Sequence, residues 1–112
     1  MSITRVARRL RFSSPLPLRM EGITPSPAGA PYAYDLETFF EGEPDATSGM
    51  IVNLSTLESV LAPWLMAIEN ETPSEFSQRL ADKIIRKKPF PGARLVKLRL
   101  FVTEDHWVDV WP

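Results

Sequence analysis

The chain has 112 residues, 44% of them hydrophobic and 24% charged, with a formal charge of −1. That size suits a single core, and the near-neutral balance gives no global electrostatic reason to bind nucleic acid or an anionic membrane. Cysteine is absent and histidine occurs once, as His106. Disulfides, thiolate metal ligands, a cysteine nucleophile and any site needing two imidazoles of one chain are thereby excluded.

No apolar run approaches the roughly 20 residues that span a bilayer. A reducing, cytoplasmic setting is the expectation. The first twenty residues contain Arg5, Arg8, Arg9, Arg11 and Arg19 and no acid. Such a start has the composition of an organellar transit peptide. It also has a two-residue period, Thr4, Val6, Arg8, Leu10 and Phe12 against Arg5, Ala7, Arg9 and Arg11. That period favours a half-buried strand.

Residues 13–31 read as a loop, because Pro15, Pro17, Pro25, Pro27 and Pro31 supply five of the eleven prolines. Proline lacks a ladder donor and fixes φ, so this stretch is not central sheet. Residues 32–41 alternate again. Tyr32, Tyr34, Leu36, Thr38 and Phe40 take one face, and Asp35, Glu37, Phe39 and Glu41 the other. Arg5, Arg9 and Arg11 are expected to pair with the acids of this second strand. Gly42-Glu43-Pro44-Asp45 then forms a turn.

Asn53 is placed to cap a helix whose apolar stripe is Leu54, Leu57, Val60, Leu61, Trp64, Leu65 and Ile68. Pro63 should kink that helix or end its regular part. Thr72, Pro73 and Glu75 form a capping box with proline at the first helical position. Phe76, Leu80, Ala81 and Ile84 mark the buried side of this second helix. Arg86, Lys87 and Lys88 complement its negative end, and Pro89 stops it. Leu95–Thr103 alternates as a third strand, with Val96, Leu98, Leu100 and Val102 on one face. Glu104-Asp105-His106 is a turn and Trp107–Trp111 the returning strand. Two strands, two helices and two strands predict an α+β domain with a four-stranded antiparallel sheet covered on one face.

The order of elements and several short runs resemble the 6-pyruvoyl- and 6-carboxy-tetrahydropterin synthase family, built on the tunnelling fold. Gly49-Met50-Ile51-Val52-Asn53-Leu54 is similar to that family's Gly-Met-Val-Asp-Phe signature, and Thr72-Pro73-Ser74-Glu75 to its helix start. The resemblance implies sheets joined edge to edge into an oligomeric β-barrel around a tunnel. It also implies that Glu104 stands where relatives grip the pterin. The family's three zinc-binding histidines fall at Leu16, Ala30 and Tyr32 of this chain, and its catalytic cysteine near Ser26. The Leu-Asp-His motif that supplies acid–base residues has no counterpart in Leu65–Asn70.

Zinc needs three or four nitrogen, sulfur or carboxylate donors converging at about 2 Å. Leucine, alanine and an unactivated tyrosine do not supply them, so no metal or cofactor is expected at that position. A carboxylate at Glu104 can accept two parallel N–H bonds from the guanidine-like edge of a pterin or guanine. The expected protein is therefore a zinc-free, non-catalytic binder of a pterin- or purine-type ligand, or an assembly or regulatory partner, and a homo-oligomer. The alternative is an active pterin synthase-type lyase with a site rebuilt around Glu104, Asp105 and His106. Plain turn composition also accounts for Glu104, and an isolated surface imidazole for His106.

Overall fold

The computed structural model describes residues 3–14, 16–19 and 32–112. The chain runs β1 (Thr4–Ser14), β2 (Tyr32–Gly42), α1 (Leu54–Leu65), α2 (Pro73–Lys87), β3 (Ala93–Thr103) and β4 (His106–Val110). The strands form one antiparallel sheet in the order β1-β2-β3-β4. This is the predicted β-β-α-α-β-β order. Among the described residues β1 and β4 are the sheet edges, each with one side of its backbone unpaired.

One face of the sheet is apolar because the alternation of β1 and β2 is kept in register, with Leu10 opposite Leu36 and Phe12 opposite Tyr34. Leu36, Leu98 and Leu100 are fully buried and meet Leu57 and Leu61 of α1 and Phe76 and Leu80 of α2 in one core. Phe12 stacks on Phe76 with ring centroids 6.0 Å apart, tying the edge strand to the second helix.

The caps form as the sequence predicts. Asn53 accepts from the backbone N–H groups of Ser55 and Thr56, and Thr72 and Glu75 make a reciprocal capping box. Each satisfies donors that a helix start leaves open. Pro63 lies inside α1, which continues to Leu65. The helix ends within one turn of the proline, consistent with the lost hydrogen bond at Ser59.

Two boundaries differ from the sequence reading. β1 extends through Ser13 and Ser14, which pair with Ala33 and Tyr32, so the expected loop over 13–31 starts later. Its residues 15 and 20–31 lie outside the described residues. β3 begins at Ala93, and a bulge opposite Phe39 and Phe40 takes Val96 out of register. Leu95, rather than Val96, therefore reaches the core. A bulge sets two residues of one strand against one of its partner, which breaks the alternation expected from sequence.

The short segment after β1 is docked rather than loose. Leu18 is buried and its N–H donates to the Tyr34 hydroxyl at 2.9 Å. Burial raises the pKa of that phenol above its ordinary value, keeping it neutral. Arg19 N–H donates to the Glu71 carbonyl at 2.9 Å, and its side chain reaches Glu75 at 3.1 Å. Arg79 adds hydrogen bonds to the Glu71 carboxylate and to the Ala67 carbonyl, fixing the connection between the helices.

Candidate ligand site on the open face of the sheet

The face turned away from the helices is lined by cations, acids and aromatic rings in alternation. Arg5 donates to Glu41 at 2.8 Å, and Arg94 reaches the same carboxylate at 3.0 Å. Arg9 bonds Asp35 through Nε at 2.9 Å and Nη2 at 2.8 Å, while its guanidinium lies 4.1 Å from the Phe101 ring centroid. The expected pairing of β1 arginines with β2 acids is thus present, joined by stacking that depends on β3. Arg99 grips Asp109 with two bonds of 2.7 and 3.0 Å and sits 5.3 Å from Trp107. Lys97 lies 4.3 Å from Phe39 and 4.8 Å from Trp111. A cation over an aromatic face is attracted by the ring quadrupole while its head stays hydrated.

These contacts bias the acids toward their charged forms. The Arg5 hydrogen bond, aided by Arg94, holds Glu41 below the usual carboxylate range, and the Arg99 hydrogen bond does the same for Asp109. Hydrogen bonding to a charged form stabilises that form.

Glu104 is exposed at the two-residue turn between β3 and β4. It lines a cleft of about 130 Å³ with Arg9, Arg11, Tyr34, Asp35, Phe101 and Thr103. Both arginines there turn to Asp35, Arg9 closely and Arg11 at 3.8 Å. The cleft lining therefore combines the exposed Glu104 carboxylate, with no ion pair among the described residues, and the Arg11 guanidinium held at 3.8 Å from Asp35. This combination can accept an N–H edge and meet an acidic or carbonyl group on the same ligand. Pockets that enclose small molecules span roughly 300–1,000 Å³. One chain alone thus offers only part of such a pocket.

Sequence reading singled out Glu104 as a candidate and expected Arg9 to pair with the acids of β2, but placed neither Arg9, Asp35 nor Phe101 beside Glu104. Their outward positions on three strands were the available signal, and only the strand register brings them together. Asp105 and His106 are exposed on the same turn, at the end of the molecule where Glu104 lies. Leu16 is half exposed and Tyr32 packs at the margin of the core. Ala30 and Ser26 lie outside the described residues. Among the described residues, no three His, Cys, Asp or Glu side chains converge as a metal site would require.

No protein-family model matches the sequence. No curated protein matches it either. Among solved structures, the fold matches the 6-pyruvoyl tetrahydropterin synthase of Caenorhabditis elegans, with a TM-score of 0.67 and 18% identity, over 100% of this chain and 97% of that one. The chain thus has the 6-pyruvoyl tetrahydropterin synthase fold. No helix among the described residues is long and apolar enough to cross a membrane.

Proposed function

We propose that this protein is a zinc-free binder of a pterin- or purine-type ligand on the synthase fold, assembled as a homo-oligomer whose subunit interfaces complete the site. The observation that carries the reading is Glu104 in the lining of the 130 Å³ cleft, with the site's two arginines engaged by Asp35. The carboxylate takes the amino and ring N–H groups of the ligand, and Arg11 meets its outer polar edge. Phe101 backs the cleft and holds Arg9 in place, its ring covered by the guanidinium at 4.1 Å.

Assembly follows from the edges. Among the described residues β1 and β4 each leave a row of backbone donors and acceptors unpaired, and such rows favour pairing or cover. Joining edges of successive copies turns the charged and aromatic face inward and places a second chain against the incomplete cleft. The C. elegans neighbour is named as a synthase. Here Leu16 and Tyr32 have no imidazole to give a metal, and His106 stands alone at the β3–β4 turn.

The reading is tested by metal analysis of untagged protein together with thermal unfolding in the presence of pterin, of guanine and of neither. The expected result is substoichiometric zinc and a higher unfolding temperature with one of the heterocycles, because a ligand that binds only the folded state stabilises it. One zinc per chain, or conversion of dihydroneopterin triphosphate by the purified protein, would overturn it.

A further inference from the structure

We infer that the Phe101 ring is the stacking surface for the heterocycle in the Glu104 cleft, and that the Arg9 guanidinium is its removable cover, passing to Glu37 when ligand binds. The inference rests on the reading above and adds to it the surface that selects a flat ligand. The charges around the cleft can pair in two ways. The strand register sets Arg9 directly opposite Glu37 and Arg11 directly opposite Asp35. Opposite charges so placed on antiparallel strands ordinarily interact. Neither direct pair is closed here. Arg9 reaches diagonally to Asp35 Oδ2, through Nε at 2.9 Å and Nη2 at 2.8 Å. Arg11 is left 3.8 Å from Asp35 Oδ1, and that buried oxygen accepts no hydrogen bond among the described residues. Glu37 makes no ion pair among the described residues, although the register also sets Arg99 beside it. Arg99 is committed to Asp109 by two bonds.

The ring is what holds the diagonal arrangement. Asp35 stands opposite Phe101 in the β2–β3 register, so an arginine drawn to Asp35 lies over that ring, 4.1 Å from its centroid. The cation–ring attraction offsets the unsatisfied Asp35 oxygen and the unpaired Glu37. A planar heterocycle that takes the face of Phe101 removes this attraction. Arg9 then closes on Glu37 and Arg11 closes on Asp35 Oδ1, so that each acid keeps a cation. The side chains of Arg9 and Arg11 are 48% and 77% exposed, and exposed ion pairs are weak enough to exchange. The outer nitrogens of Arg11 remain available to the ligand's polar edge. A ligand with the same N–H edge but no flat ring gains nothing from this exchange, because it cannot replace the guanidinium on Phe101.

The test titrates pterin and guanine into the full chain by calorimetry, with the Arg9 side-chain N–H followed by NMR. In the free protein that proton is expected upfield of an ordinary arginine, because the guanidinium lies over the ring, and saturation with the bound heterocycle should move it downfield. Arg9→Ala uncovers the ring and should tighten binding roughly two- to fivefold, the strength of an exposed cation–ring contact. Glu37→Gln should weaken binding by a similar factor in the parent and leave it unchanged in the Arg9→Ala background, since Glu37 acts only through Arg9. Weaker binding by Arg9→Ala, an equal effect of Glu37→Gln in both backgrounds, or an unmoved Arg9 proton at saturation would overturn the inference and leave the Glu104 reading in place. Binding of neither heterocycle to the parent would remove both.

Discussion

Gly42 shows how a single position can be dictated by close approach rather than by conformation. A β-carbon there would lie 2.5 Å from the Gly92 carbonyl and 3.2 Å from the Ile51 side chain. The first obstacle is backbone and cannot swing aside. Gly42→Ala is expected to cost on the order of 1–3 kcal/mol, the usual cost of overpacking, measured by urea unfolding. A cost near zero would mean that the β2 end and the β3 start are not held against each other. At the same scale, Asp109 and Glu41 have folded pKa values below their ordinary 3.8 and 4.5. Their stabilising effect is present above those ordinary values and is lost as pH falls through the lower folded ones. Stability should therefore decline below about pH 4.5. Asp109→Asn, which abolishes one of these titrations, should flatten that acid limb in unfolding curves taken at stepped pH. An acid limb identical to that of the parent would place the sensitivity elsewhere.

The elements differ in how openly the sequence displays them, for physical reasons. α2 was readable because its start is written in local chemistry, with Thr72 and Glu75 bonding to each other's backbone within one turn. β2 was readable because its inward set, Tyr34, Leu36, Thr38 and Phe40, is buried on a strict period of two. β3 was readable only in part, because the shift to Leu95 is created by pairing with Phe39 and Phe40 and leaves no local mark. The same holds for the candidate site. Glu104 was singled out only by resemblance to the synthase family, its turn composition alone pointing to a plain surface residue, whereas the stacking of Arg9 on Phe101 depends on a register across three strands. The extra length of β1 was hidden by the proline that follows Ser14. α1 offers the prediction at this scale. Pro63 is exposed and lies outside the core, yet it withholds a helical hydrogen bond. Pro63→Ala should raise stability by about 1–3 kcal/mol, since proline near the end of a helix costs less than one at its centre. A loss of stability would mean that the proline ring is needed to end α1 and start the turn toward Ile68.

At the scale of the whole molecule, the sheet's two faces divide the labour. The helix-covered face holds the core, and the other carries arginines, acids and aromatic rings in contact with one another. Trp107 and Trp111 remain largely exposed on it, beside a free edge. Pairing of edges between copies would cover both tryptophans and complete the Glu104 cleft. Light scattering coupled to size exclusion should therefore return a multiple of the 12.7 kDa chain mass at micromolar concentration. A stable 12.7 kDa monomer would leave the cleft without its second wall. The account as a whole turns on whether Glu104 holds the ligand. The most direct measurement is calorimetric titration of pterin, and of guanine, into the wild-type protein and Glu104→Gln. A saturable heat for one of them, weakened by roughly tenfold or more in the variant, is the predicted result for a carboxylate that receives the ligand's N–H groups. Equal affinity in the two proteins would contradict it.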